Sequence, residues 1–171
     1  GLRGCQSQLG VVVQNGGGGV TLTIDNSTVR SYGKNGITAS LAGTVLNVED
    51  SVVEGRGPVL LGDAAQNGIQ IASGATGSVR NSTIKGHAYQ PETFSSTGLL
   101  FYGSAANAEG NIIEDNQVGL YHIDGNGTHV GNTFAITTAD VGVNNFWGAV
   151  FDDPMPSRLP SPVDVDVSAP Q

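Results

Sequence analysis

Two columns of residues recur along this chain at intervals of 21 to 32 residues. The first column is a glycine followed by an aliphatic residue, found at Gly10, Gly36, Gly68, Gly98, Gly119 and Gly142. The second is a serine or asparagine followed two positions later by an apolar residue, found at Ser27, Ser51, Ser82, Asn111 and Asn132. Because the two columns keep step with each other, the chain consists of repeated units.

Each unit contains short apolar runs that are separated by Gly, Asn, Asp and Ser. In the first complete unit, residues 20–24 alternate apolar and polar side chains, the turn Asn26-Ser27 follows, and a second run starts at Thr28. No run has helical spacing, and a unit of this size cannot bury its own apolar side. The units must therefore stack, each strand pairing with its equivalent in the next unit. This predicts an all-β parallel β-helix of about six coils, spaced by ~4.8 Å.

The composition excludes two classes of partner. The chain of 171 residues has 7 Lys and Arg against 15 Asp and Glu, a net charge of −8. A nucleic-acid-binding protein needs a basic surface, so we expect no nucleic acid as a partner. No apolar run is long enough for membrane insertion. The single cysteine, Cys5, has no partner for an internal disulfide.

The turn sequences carry a family resemblance. Residues 26–29 (Asn-Ser-Thr-Val) and 110–113 (Gly-Asn-Ile-Ile), with the Gly-Ile starts, resemble the right-handed parallel β-helix of the pectin-lyase-like superfamily over about residues 5–150. Residues 143–148 are similar to a sequence that often closes such arrays. The resemblance implies a right-handed, single-stranded β-helix with three strand ladders. The glycine column would open the first ladder, and the Ser/Asn column would form a hydrogen-bonded turn between the second and third.

The predicted solenoid occupies residues 1–150, and residues 1–9 are interpreted as the tail of an earlier coil because Gly10 already opens a first-ladder strand. Residues 151–171 hold five of the seven prolines, which predicts an extended linker or strap. Within it, residues 163–167 alternate and are expected to add one edge strand. An open solenoid end exposes unpaired strand edges. We therefore expect further β-helix coils or identical chains as partners at the N-terminal end.

The pattern also predicts which side chains point inward and which charges lie outside. The expected core residues are Val13, Leu22, Ile24, Ile37, Val48, Val53, Ile69, Ile71, Val79, Ile84, Leu99, Phe101, Ile113, Leu120 and Phe134. The charged residues that flank the second column are expected to form two outward ladders of surface charges. These are Asp25, Glu49, Arg80 and Glu109, and Arg30, Glu54, Lys85 and Glu114.

The longest coils predict where a binding site lies. Coils of 32 and 30 residues carry loops at 55–67 and 86–97, and loops on a rigid scaffold often carry function. We expect these loops to overhang the outward positions of the first ladder, which read Thr38, Gln70, Leu100, Tyr121 and Asn144. The candidate substrate-binding residues are Arg56, His87, Tyr89, Tyr102 and Tyr121. Tyrosine suits stacking on sugar rings; the alternative is that Leu100, Tyr102 and Tyr121 cover one another between the wide coils.

Candidate catalytic residues are Asp63, Glu92, His122 and Asp124. Strict alternation sends His122 inward if Leu120 points inward, whereas a bulge at residues 124–127 would expose it beside Asp124 as an acid–base pair. The Asn-Thr-Asp and Gly-His-Gly motifs of the superfamily's hydrolases and the Asp-Pro-His motif of its epimerases are absent. The three histidines lack the spacing of a zinc site, so no metal or cofactor is predicted.

Two functions of different classes follow. The first is a secreted module, extracellular or at the cell surface, that binds or processes a polysaccharide along the first-ladder face. If it is an enzyme, the resemblance implies a polysaccharide lyase or glycoside hydrolase. The alternative is a non-catalytic structural or adhesive unit that assembles into a larger protein or fibre.

Overall fold

A computed structural model describes residues 8–60, 63–90 and 94–135, together with the backbone of two short strands at 150–151 and 164–165. Its strands form three parallel ladders. The first ladder consists of β1 (Val11–Gln14), β4 (Asn35–Ser40), β7 (Asn67–Ala72), β11 (Thr97–Tyr102), β14 (Val118–Ile123) and β17 (Val150–Phe151). The second consists of β2 (Val20–Asp25), β5 (Thr44–Glu49), β8 (Thr76–Arg80), β12 (Ala105–Glu109) and β15 (His129–Val130). The third consists of β3 (Thr28–Arg30), β6 (Val52–Leu60), β9 (Thr83–Gln90), β13 (Ile112–Glu114) and β16 (Thr133–Ala135).

Each ladder joins strands from successive coils. Coil 1 is β1–β3, coil 2 is β4–β6, coil 3 is β7–β9, coil 4 is β11–β13, coil 5 is β14–β16, and β17 begins a sixth. The pairs are parallel throughout, for example Ile37 with Ile69 in the first ladder and Leu22 with Leu46 in the second. The predicted fold, an all-β right-handed parallel β-helix, is confirmed. Among the described residues, no helix has the length and hydropathy needed to cross a membrane.

The core is a set of apolar columns that run along the solenoid axis. Every residue predicted to point inward is either buried or packed against the buried cluster. Ile69 and Leu99, in coils 3 and 4, are fully buried, whereas Leu22 and Ile24, in coil 1, are only partly buried. The core prediction is therefore confirmed, and burial is least complete at coil 1.

The turn between the second and third ladders repeats the same hydrogen bond from coil to coil. The backbone N–H of Ser27 donates to Oγ of Ser51 at 3.0 Å, and that of Ser51 donates to Oγ of Ser82 at 3.1 Å. The series continues from Ser82 to Asn111 Oδ1 at 2.9 Å and from Asn111 to Asn132 Oδ1 at 3.0 Å. The preceding residue has a left-handed backbone in all five turns, namely Asn26, Asp50, Asn81, Gly110 and Gly131. Asn, Asp and Gly tolerate that conformation best, which explains why they precede the column.

The two predicted charge ladders are also observed. Asp25, Glu49, Arg80 and Glu109 are register partners, as are Arg30, Glu54, Lys85 and Glu114. Arg80 lies 3.6 Å from Glu49 and 3.3 Å from Glu109, and Lys85 lies 3.6 Å from Glu54. Ion pairs with this much solvent exposure contribute little to stability, so these residues are surface charges.

One register pair of the first ladder differs from the prediction, whereas the strand expected in the tail is present. Phe151, rather than Asn144, is the register partner of Tyr121; Asn144 lies outside the described residues. In the tail, β18 (Asp164–Val165) pairs in parallel with β10 (Phe94–Ser95), so an edge strand forms within residues 163–167 as predicted.

The glycine column has a steric cause. A Cβ added at Gly10, Gly36, Gly68 or Gly98 would lie 2.5 to 2.8 Å from the carbonyl oxygen of the next glycine in the column. Real Cβ atoms do not approach a backbone oxygen this closely, so any larger residue would push two coils apart. The column therefore marks positions at which the next coil leaves no room for a side chain.

Gly68→Ala tests this cause. Its Cβ would meet the Gly98 oxygen at 2.6 Å and Cε1 of His87 at 2.8 Å, so we expect it to lower the free energy of unfolding by roughly 1–3 kcal/mol. Gly16→Ala is the matched control, because a Cβ there would have nothing within 4 Å. Urea unfolding of the two variants measures the difference, and equal midpoints would contradict the steric explanation.

Candidate binding face on the wide coils

The wide coils are more regular than the loops that the sequence predicts. The long strands β6 and β9 continue past the third ladder and pair with each other from Val52 to Leu60, with one register shift between Glu54 and Gly57. The prediction of loops at 55–67 and 86–97 is therefore wrong for residues 55–60 and 86–90, which are strand. Strand pairing satisfies the backbone groups of these segments, which makes them rigid arms of the solenoid.

His87 lies inside this region and not on its surface. It is fully buried. Its Nε2 is 2.5 Å from the Tyr32 hydroxyl, and its Nδ1 is 2.6 Å from Oδ1 of Asn116. Asn116 donates through Nδ2 to the carbonyl of Ile84 at 2.9 Å, so its Oδ1 is an acceptor. His87 therefore donates from Nδ1 and accepts the Tyr32 proton at Nε2. The expectation that His87 reaches an exposed sugar-binding surface is wrong.

Burial keeps this group of side chains neutral. Desolvation lowers the pKa of His87 to about 4, against the opposing effect of its hydrogen bond to Asn116. Burial also raises the pKa of the Tyr32 phenol above its ordinary value, and the nearby Glu54 charge adds to this. Neither group exchanges a proton readily at neutral pH. The Tyr32–His87–Asn116 chain thus joins the corner after β3, the strand β9 and the corner after β13 as a structural element.

At the corner between the third ladder and the next coil, side-chain amides also accept hydrogen bonds from the backbone. Tyr89 is buried against Val59 and Ala65, so the expected exposed position of its ring is wrong. Oε1 of Gln117 accepts the backbone N–H of Tyr89 at 3.2 Å and that of Ser96 at 2.9 Å. These bonds replace the ladder partners that a corner of irregular length lacks.

The outward face of the first ladder is covered. Thr38, Gln70 and Leu100 have 0% exposure and Tyr121 has 4%, so the expectation of an open face at these positions is wrong. The alternative interpretation, that Leu100, Tyr102 and Tyr121 cover one another between the wide coils, agrees with the burial of Leu100 and Tyr121, whereas Tyr102 is partly exposed.

Polar side chains cluster at the start of this face, and we call them the amide patch: Asn35, Thr38, Asn67, Gln70 and Thr97. All are fully buried. Nδ2 of Asn35 donates to Oγ1 of Thr38 at 3.0 Å and to Oε1 of Gln70 at 2.9 Å, and Nδ2 of Asn67 donates to Oδ1 of Asn35 at 3.3 Å. Nε2 of Gln70 and Oγ1 of Thr97 have no hydrogen-bond partner. A buried polar atom without a partner costs about 1–3 kcal/mol, which makes the patch a candidate for an additional polar group.

Sequence reasoning missed the amide patch, although a signal was present. Asn35, Asn67 and Thr97 each directly precede a glycine of the first column. Tyr32, His87 and Asn116 also carry a signal, because each stands five positions after a residue of the second column, namely Ser27, Ser82 and Asn111.

The remaining predicted residues do not converge. Arg56 is exposed and Asp63 is partly exposed on the wide arm. Tyr102 is partly exposed at the far end of β11, about 16 Å from Thr97 along an extended strand. Asp124 is exposed, and Glu92 lies outside the described residues. His122 points inward against Phe101, as strict alternation predicts, and the structure shows no hydrogen bond from its buried Nε2.

The buried His87 predicts a pH effect on stability. Its pKa is about 4 in the folded protein and near 6.5 when exposed, so the unfolded chain takes up a proton that the folded chain does not. The contribution to stability is complete above about pH 6.5 and falls as the pH drops towards 4, by roughly 3 kcal/mol in all. His87→Gln should flatten the urea-unfolding profile across this range; parallel profiles for both proteins would contradict the assignment.

Comparison with known proteins identifies the family. A family model described as a right handed beta helix region matches residues 7–147. Searches of curated proteins and of solved structures give no match. The family match covers well over half of the chain and agrees with the three parallel ladders, so the chain belongs to the right-handed β-helix family.

Proposed function

We propose that this chain is a binding module for a neutral polysaccharide, which it holds along the first-ladder face at the amide patch. The observation that carries the proposal is the pair of buried atoms without partners, Nε2 of Gln70 and Oγ1 of Thr97. Sugar hydroxyls both donate and accept hydrogen bonds, and a hydroxyl placed between these groups would satisfy them. The resemblance to pectin-lyase-like proteins supports a polysaccharide as the ligand class.

The chemistry of the face favours an uncharged ligand. The amide patch contains only amides and hydroxyls, and the next two outward positions of the ladder are Leu100 and Tyr121. Amides beside an aliphatic and an aromatic side chain match the polar edge and apolar face of a sugar ring. With a net charge of −8, the chain repels polyanions such as polyuronates.

Binding requires that the face be uncovered, because its side chains are buried in this structure. We therefore expect binding to include a conformational step, which lowers the association rate. A polysaccharide ligand also places the module outside the cell or at its surface. The proposal is limited to binding and includes no reaction.

Thr97→Val tests the binding proposal. The substitution removes one hydroxyl that has no partner in this structure and keeps the shape of the side chain. We expect the unmodified protein to be retarded in affinity gels containing mannan, xylan or a neutral β-glucan. Thr97→Val should bind the same glycan about tenfold more weakly, as expected for one lost hydrogen bond.

Thr76→Val, on the exposed face of the second ladder, is the matched control and should bind normally. Urea unfolding separates folding from binding, because Thr97→Val should leave stability unchanged or slightly higher. The proposal fails if no neutral glycan retards the protein, or if Thr97→Val binds as tightly as the unmodified chain.

A second function is favoured by the incomplete burial of coil 1. Its inward residues Val11, Val20, Leu22, Ile24 and Val29 are only partly buried, whereas their counterparts Leu46, Val48 and Val53 in coil 2 have 0% exposure. Among the strands of the described residues, β1, β2 and β3 are the edge strands of their ladders. Stacking a coil of a second copy on this end would bury the apolar side chains and pair the strand edges. In this proposal the chain is a structural unit that assembles end to end.

The two lysine variants Val12→Lys and Ile112→Lys test this assembly. Val12 is 46% exposed on the edge strand β1, and Ile112 is 48% exposed on the internal strand β13. A charge on an edge strand blocks strand addition. We expect light scattering to show concentration-dependent association that Val12→Lys abolishes and Ile112→Lys preserves. A protein that stays monomeric at every concentration would exclude assembly through this end.

A further inference from the structure

The interior of coil 5 differs chemically from the interior of the coils before it. In the first ladder, the inward column reads Val13, Ala39, Ile71, Phe101 and His122. In the second ladder, the matching column reads Ile24, Val48, Val79, Ala108 and His129. Both columns are apolar through four coils, and both change to histidine in the fifth.

The two imidazoles lie close together inside the solenoid. Their ring centroids are 6.3 Å apart, and their planes are inclined by 77°. His122 is 6% exposed, and its Nε2 is buried without a hydrogen-bond partner. A Cβ added at Gly125 would lie 2.9 Å from this nitrogen and closer still to the carbonyl oxygen of Ser104, so Nε2 lies next to the backbone of Gly125.

The buried Nε2 of His122 lowers the stability of the folded chain unless another group binds it. An apolar side chain at position 122 would continue the column, whereas the imidazole leaves a buried polar atom unsatisfied. A neutral imidazole nitrogen is the commonest protein ligand for zinc, copper and nickel ions. Two imidazole nitrogens that share such an ion at ~2.0–2.1 Å hold their ring centroids roughly 5 Å apart in a tetrahedral site and roughly 6.4 Å apart in a linear one. The observed 6.3 Å is close to the linear limit, so the two rings have to move about 1 Å towards each other to share a tetrahedral ion.

We propose that His122 and His129 form a two-histidine site for a divalent transition-metal ion inside coil 5. No group of three or more His, Cys, Asp or Glu side chains that could hold a metal occurs in the described part of the chain. Water or a small anion would therefore complete the coordination. Spacing along the sequence does not predict this pair, because the two residues lie on different ladders. The site is independent of the proposed glycan face, which lies on the outside of the first ladder.

The test uses the full chain after dialysis against a chelator, titrated with ZnCl2 and separately with NiCl2. We expect one equivalent to bind by calorimetry. An excess of a hundredfold over Kd should raise Tm by roughly 5–10 °C. His122→Phe and His129→Val should each abolish both effects. These substitutions continue the apolar columns, so the variants should remain folded, and unfolding curves without metal check this.

His87→Gln is the matched control, because it removes the third histidine, whose two ring nitrogens are engaged by Tyr32 and Asn116. It should bind metal like the unmodified chain, and zinc should shift the ring-nitrogen NMR signals of His122 and His129 only. The proposal is overturned if the unmodified chain binds neither metal. It is equally overturned if His122→Phe and His129→Val still bind one equivalent.

Discussion

The close approach of each coil's backbone to that of the next is the constraint on which the rest of this structure depends. It requires glycine where the first ladder opens, since a Cβ at Gly36 or Gly68 would meet a backbone oxygen of the next coil. It also requires a left-handed residue and then a small hydrogen-bonding side chain at the turn before the third ladder, as at Asn81 and Ser82. The apolar columns stack because these two positions hold every coil in register.

Where coils differ in length, side-chain amides replace the missing backbone partners. Gln66 shows this most clearly, because its Nε2 donates to the carbonyl of Tyr32 at 2.8 Å and its Oε1 accepts the backbone N–H of Arg56 at 2.9 Å. Asn116 and Gln117 do the same at the corner after β13. Side chains of the wide coils such as His87 and Tyr89 are consequently buried, and the amides around them form hydrogen bonds within the fold. A ligand site in this region has to use polar atoms that form no hydrogen bond within the fold.

Among the described residues, such unsatisfied atoms include Oγ of Ser104 and two groups whose surroundings suit a ligand. Gln70 and Thr97 leave polar atoms unsatisfied on the outward face of the first ladder, and His122 leaves one inside coil 5. The first environment consists of amides and hydroxyls, which suits a sugar, and the second pairs two imidazoles, which suits a metal ion. The surface charges, by contrast, form ion pairs with one another along the two outward ladders of charges, as Arg80 does with Glu49 and Glu109. The buried polar groups of this molecule are therefore better candidates for ligand binding than its charged surface.

The sequence by itself determined the architecture, because a repeated turn and a repeated glycine specify the local backbone geometry of the coils. The inward direction of Ile69 and Leu99 and the outward charge ladders follow from strand alternation alone. Only the tertiary structure decided where the aromatic and titratable side chains of the wide coils lie. Exposure of His87 or Tyr121 depends on what covers it, and the contacts of His87 come from Tyr32 and Asn116, residues 55 and 29 positions away. Periodicity specifies which face of a strand a side chain occupies, whereas burial of that face depends on packing between coils of unequal length.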